Sequence, residues 1–167
     1  MLTKEEYKAK LTEIASFKDS VQLDRDPIAA GLNSFNAKLA ELQAIRERVT
    51  TLLTEALWNK ANAESQLNDA EYDFESKCST LGITEAIQKM KSKEIREAQM
   101  NVSLQAERDV LHRAQREQLF ADTYLRNIYA IDKELEIKNN NLYQQIKTVQ
   151  AMLHIDPALR EDLTTRR

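Results

Sequence analysis

From Phe35 onward, apolar side chains recur every three or four residues. The series runs Phe35, Leu39, Leu42, Ile45, Val49, Leu52, Ala56, Ala63, Leu67, Ala70, Phe74, Cys78 and Leu81. That spacing returns each side chain to one face of an α-helix, so it predicts a single long helix from Asn33 or Ser34. At 1.5 Å per residue, about 47 residues make a rod of roughly 70 Å. A second series runs Ile87, Met90, Ile95, Ala98, Val102, Val110, Ala114, Ala121, Leu125, Ile128, Leu135, Leu142, Ile146, Val149 and Leu153. It predicts a helix of more than about 60 residues, roughly 100 Å long. Ahead of both, Tyr7, Leu11, Ile14, Phe17 and Val21 mark a shorter helix of about five turns, opened by a Thr3/Glu6 capping box.

Helix-breaking residues stand almost entirely outside these series. The chain holds two glycines and two prolines in 167 residues: Pro27 and Gly31 early, Gly82 centrally, Pro157 late. The expected organisation is therefore an N-terminal helix over 1–23, a linker over 24–33, and a helical hairpin over 34–155. A short C-terminal helix and tail follow over 156–167. Gly82 is read as the left-handed residue that ends the first long helix, and Thr84 with Glu85 as the start of the next. So short a connection folds the two helices back antiparallel. Asn139-Asn140-Asn141 is the expected weak point of the longer helix. Alanines 56, 63, 70, 98, 114 and 121 permit close helix approach, while Glu94 and Gln118 interrupt the stripe. That mixture suits a hairpin or multi-helix bundle better than a parallel leucine zipper. The fold class is thus all-α, an elongated antiparallel hairpin or coiled-coil bundle with short terminal helices.

Composition sharpens this outline. Charged residues make up 31% and aromatic residues 6%, the balance of helices that bury a narrow seam. The longer helix overhangs its partner beyond Leu125, and that overhang must pack on the N-terminal helix or on another protomer. Leu125, Ile128, Leu135, Leu142, Ile146 and Val149 are the expected oligomer interface. The single cysteine, Cys78, excludes an internal disulfide and falls on the apolar side of its helix, where packing is its expected role. No apolar run reaches the ~18–20 residues of a membrane span, and the charged start lacks a signal peptide's apolar region. A cytoplasmic protein without membrane association is expected.

Candidate chemistry is sparse. His112 and His154 have no partner at ligand spacing, and no zinc pattern occurs. Glu64, Asp69, Glu71, Asp73 and Glu75 lack the Glu-x-x-His of a di-metal carboxylate site and read as a solvated face. Two glycines 51 positions apart build no phosphate loop. Neither an enzyme, a metal nor a cofactor is expected.

The strongest local signal is Lys89-Met-Lys91-Ser-Lys93-Glu-Ile-Arg96. In one continuous helix Lys89, Lys93 and Arg96 share a face, with Arg108, Arg113, Arg116 and Arg126 further along. Such a track suits phosphates, and Tyr124 and Tyr129 offer stacking surfaces for unpaired bases. Lys89, Lys91, Lys93, Arg96, Arg113 and Arg116 are therefore candidate nucleic-acid contacts. The alternative reading pairs these cations with Glu94, Glu97, Glu107 and Glu117 along an exposed face.

The stretch Leu52-Leu-Thr-Glu-Ala-Leu-Trp-Asn-Lys-Ala-Asn-Ala-Glu, then Leu67-Asn-Asp-Ala-Glu-Tyr-Asp-Phe74, is followed by Lys93-Glu-Ile-Arg-Glu-Ala and Ala106-Glu-Arg-Asp-Val-Leu. Together these segments resemble tailed-phage recombination mediators of the UvsY type, over roughly Leu52 to Leu142. The resemblance implies a ring-like homo-oligomer that binds single-stranded DNA and helps load a recombinase, in the host cytoplasm. The chain departs from that pattern in lacking a basic excess and in carrying Asn139-Asn140-Asn141 where an arginine-glycine pair would stand. The rival expectations are a phage structural or assembly protein of the virion or scaffold, and a helical adaptor or inhibitor that binds a protein partner.

Overall fold

A computed structural model describes residues 4–23 and 27–155. Every element is an α-helix and no strand occurs among the described residues: α1 (Lys4–Ser20), α2 (Pro27–Ile83), α3 (Glu85–Gln88), α4 (Lys93–Ser103) and α5 (Gln105–Ile155). Helix α2 packs against α5, which makes the expected all-α helical hairpin. The chain divides into two compact units. Among the described residues, 56–125 form one, and 4–23, 27–55 and 126–155 form the other.

In the second unit three helices meet. Tyr7 and Ile14 of α1 and Val21 just beyond it are buried, as are Phe35, Leu42, Val49 and Leu52 of α2 and Ile128, Leu135, Leu142 and Val149 of α5. Phe35, Leu142 and Val149 form one cluster, joined by half-buried Leu23, Leu39, Ile146 and Leu153. Apart from Leu52, which lies in a neighbouring column of α2, these buried residues stand seven apart, the spacing that keeps a seam facing its neighbours over many turns. Ion pairs Lys10–Glu55 (2.8 Å) and Glu13–Arg48 (2.9 Å) hold α1 antiparallel to α2. Lys138 Nζ donates to the Val21 carbonyl at 2.9 Å and ties the end of α1 to α5.

The residues expected at an oligomer interface are therefore placed differently. Leu125, Ile128, Leu135, Leu142 and Val149 are buried within the single chain, and Ile146 is half-buried against the Phe35 cluster. In the three-helix unit, α1 and the first half of α2 supply the covering surface that a second protomer was expected to provide.

The unit of residues 56–125 is built on smaller side chains. Ala56, Ala63 and Ala70 on α2, and Ala114 and Ala121 on α5, are its buried seven-residue series. The pairs Lys60–Asp122 (3.0 Å) and Lys77–Glu107 (2.6 Å) fix an antiparallel register that sets Ala63 level with Ala121 and Ala70 level with Ala114. Methyl groups at these positions permit close helix approach, and Ile87, Leu104, Tyr124 and Leu125 are the larger buried side chains of the unit.

Several boundaries differ from expectation. Helix α2 begins at Pro27 and so takes in residues 27–33 of the expected linker. Proline's fixed φ suits a first helical turn, and a helical Gly31 costs only about 1 kcal/mol against alanine. Gly82 does not end α2 in a left-handed conformation: the helix runs on to Ile83, and no atom lies within 4 Å of a Cβ built there. Thr84, with extended ψ of 138°, makes the turn instead.

The expected third helix is interrupted twice. Ser92 (φ −106°, ψ 140°) restarts the chain as α4, in the extended conformation that serine readily supplies ahead of a helix. Leu104 (φ −105°, ψ 14°) separates α4 from α5 and is buried. This second break changes the phase of the apolar stripe. Leu104 turns inward, while Ile95, Ala98, Val102 and Val110 of the expected inner face are exposed. Asn139-Asn140-Asn141 is no break, because α5 continues through it on the packing of Leu135 and Leu142. The Thr3 capping box and the Asp156-Pro157 helix lie outside the described residues.

Candidate interaction surface of residues 56–125

The basic cluster sits on three elements rather than one. Lys89 follows α3, Lys91 lies in the turn, and Lys93 and Arg96 belong to α4. The break at 89–92 removes the continuous helix that would have aligned Lys89, Lys93 and Arg96 on one face. Two of these cations also have acidic neighbours. Lys89 pairs with Glu85 at 2.5 Å and Lys93 with Glu97 at 3.7 Å, both across one helical turn and both largely exposed. Ser92 donates a hydrogen bond to Glu94, and that bond first, with Arg96's charge a lesser cause, lowers the Glu94 carboxyl below its ordinary range. Arg96 is half-buried, and its Nε has no hydrogen-bond partner.

Along α5 the cations are held locally. Arg116 Nε donates to the His112 carbonyl at 3.2 Å, Arg113 is exposed, and Arg108 lies 5.9 Å over the Phe74 ring while also donating to Asn101. Tyr124, an expected stacking surface, is buried, whereas Tyr129 is exposed. The six candidate nucleic-acid contacts thus fall into a group around the turn, residues 89–96, and a separate pair at 113 and 116.

Two ion pairs fasten α2 to α5. Hydrogen bonds from Lys60 to Asp122, and secondly to Glu64, hold the lysine above its ordinary value. Lys77's bond to Glu107 raises the lysine and lowers the carboxyl. His112 is exposed, its ring nitrogen 3.3 Å from Gln115, and His154 is exposed at the end of α5. No group of three or more metal-binding side chains occurs among the described residues, and Cys78 is half-buried as its stripe position implies. An open groove of about 640 Å³ in the three-helix unit is lined by Leu39, Gln43, Arg46, Glu47, Thr50, Asn139 and Tyr143, with one cation and one carboxylate among them.

The feature that stripe reading passed over is apolar. Thirteen large apolar side chains are exposed among the described residues, and nine of them lie within 56–125. Trp58 and Tyr72 are the most prominent on α2, 69% and 73% exposed. They stand fourteen residues apart, each two positions beyond a seam alanine, and so share an outward face. Ile95 and Val102 on α4 are 58% and 72% exposed. The available signal was an aromatic side chain off the seam, on an otherwise polar face.

Charge is distributed unevenly as well. Residues 56–125 hold nine lysines and arginines against twelve aspartates and glutamates, a net of −3. The remaining residues hold fifteen of each, so this one unit carries the chain's entire imbalance. Between Ala61 and Ser76 there are five acidic residues and no cation. No helix among the described residues is long and apolar enough to cross a membrane. No protein-family model, curated protein or solved structure matches this chain.

Proposed function

We propose that this chain is a helical assembly or adaptor protein whose two-helix unit is its contact surface for other protein chains. One observation carries the reading: large apolar side chains are exposed on the outer faces of residues 56–125 while the same unit keeps a sealed alanine seam. An exposed tryptophan and tyrosine are characteristic anchors of protein interfaces, because each removes a large rigid surface from water. The net negative charge of this unit opposes general attraction to a phosphate backbone.

A second reading is supported by the cations around the turn, three of them exposed and Arg96 half-buried. Lys89, Lys91, Lys93 and Arg96 lie within eight positions, and with the UvsY-type resemblance they favour a recombination mediator that binds single-stranded DNA as a homo-oligomer.

Photo-crosslinking in cells separates the two. A photoreactive residue at position 58 or 72 should give adducts that survive nuclease and are lost to protease. A photoreactive residue at 91 should give few nuclease-sensitive adducts. Nuclease-sensitive adducts at 91, with none at 58 or 72, would replace the first reading by the second.

A further inference from the structure

Helix α4 is amphipathic, yet none of its residues is buried. Ile95, Ala98 and Val102 fall at i, i+3 and i+7, so they form one apolar stripe, and that stripe faces solvent. Lys91, Lys93 and Arg96 gather at its N-terminal end, where they outnumber Glu94 and Glu97 and where Lys93 pairs with Glu97 at 3.7 Å. An amphipathic helix with a basic end and an unburied stripe requires an apolar, acidic surface.

Such a surface is present on α2 of the same unit. Tyr72 is exposed, flanked on its outer face by Asp69 and Glu75 and beside them by Glu71. Trp58 extends the apolar strip, and small Ala61 and Ser65 lie between the two aromatics. Lys91 makes no ion pair among the described residues, and neither do Asp69, Glu71 and Glu75. The pairs of Lys89 and Lys93 are exposed one-turn contacts, of little energetic consequence and readily exchanged.

Among the described residues no ion pair joins Lys91, Lys93 or Arg96 to Asp69, Glu71 or Glu75 within one chain. Resting on the protein-contact reading of this unit, we propose that the occupant is a second copy. Helix α4 of one copy lies on the Trp58–Tyr72 face of α2 in its partner, with Lys91, Lys93 and Arg96 set against Asp69, Glu71 and Glu75. The proposed exchange is reciprocal: each copy donates α4 to, and accepts α4 from, the same partner, which makes the contact isologous and closes it at two. Complementary charge fixes the antiparallel register and makes association salt-sensitive.

Sedimentation of the full chain tests this, with Trp58 as an internal reporter because it is the only tryptophan. The wild type should dimerise, more weakly as salt is added, with a blue shift of Trp58 emission. The triple variants K91E/K93E/R96E and D69K/E71K/E75K should each lose about tenfold or more in self-affinity, the scale of several close charge contacts. Both sets are exposed or half-exposed, so unchanged helix content by circular dichroism accompanies the loss. Mixing the two variants should restore a dimer, because each then meets its complement.

A wild type that stays monomeric at about 100 μM, where a free energy of roughly −5.5 kcal/mol would give half-association, would overturn the inference. So would variants that dimerise as the wild type does, or a mixture no better than either variant alone. If the chain is monomeric while positions 58 and 72 still crosslink to another protein, the protein-contact reading stands and self-docking alone fails. If those positions yield no protein adducts and the chain is monomeric, both fail.

Discussion

The two units repeat the same seven-residue period with different side chains. On α2 the buried series reads Phe35, Leu42, Val49 in the three-helix unit and Ala56, Ala63, Ala70 in the two-helix unit. On α5 it reads Ala114, Ala121 and then Ile128, Leu135, Leu142, Val149. Large side chains give way to alanine where one unit yields to the other, on both helices. A neighbouring column changes too. Ile45 and Leu52 lie beside Arg48 and Glu55, which pair with α1, and the same column continues as Asn59, Gln66 and Asp73. Helix α1 is gathered where that column carries Ile45 and Leu52, and its ion pairs Lys10–Glu55 and Glu13–Arg48 stand ahead of the polar stretch. Period alone therefore sets the face, while side-chain size and the adjoining column set the number of helices.

The largest test of this contrast is a cavity in the three-helix unit. Leu142→Ala removes a fully buried side chain from the Phe35 cluster, and we predict a loss of about 2–5 kcal/mol. Denaturant unfolding followed by helicity measures it. A loss under about 1 kcal/mol would mean that the three helices are not closely packed around Leu142.

The complementary change enlarges the alanine seam. Ala63→Leu overfills a layer where only methyl groups meet, for an expected cost of about 1–3 kcal/mol. Hydrogen exchange should show faster opening of amides within 56–125 and little change around α1. Neutral behaviour would break the comparison, since a seam that accepts leucine is not a close one.

Gly82→Ala should act in the opposite direction. Gly82 is helical, with open space around the position a methyl would take, so alanine should stabilise by about 0.5–1 kcal/mol. A destabilised variant would restore the turn that the sequence pattern placed at this glycine.

The smallest effect is electrostatic. Lys77's hydrogen bond lowers the Glu107 carboxyl, so its contribution is present above the ordinary glutamate value of 4.5 and is lost as pH falls through the lower folded value. Lys77 and Lys60 are held above the ordinary 10.5, so their contribution is complete below 10.5 and lost as pH rises through the raised values. Amide exchange near 77 and 107 should accelerate at the acid end in the wild type. That acid response should vanish in Lys77→Met, and an identical pH profile in the variant would remove the pair from any role in register.

The helical hairpin was legible in the sequence because its cause is periodic and local. Three- and four-residue spacing dictates helices, and a chain without interior breakers has few ways to end them. The buried columns of α2 were read correctly for the same reason. The continuous helix expected to carry the basic residues is broken at Ser92 and Leu104, where two ordinary residues leave helical geometry. Nothing in a hydrophobic period marks such a break. It shifts the phase of α4, turning Ile95 and Val102 outward and Leu104 inward.

Residue types and their spacing along a helix of known pitch were enough for an all-helical chain and for the buried faces of α1, α2 and most of α5. Tertiary structure alone decided which surface answers each face. Leu125 through Val149 have the same pattern whether they meet another protomer or, as they do, lie inside one chain. The choice depended on α1 reaching the apolar column of α2 and locking there through Lys10–Glu55 and Glu13–Arg48, contacts between residues far apart in sequence. Periodicity states that a side chain needs cover, and only the path of the whole chain determines what covers it.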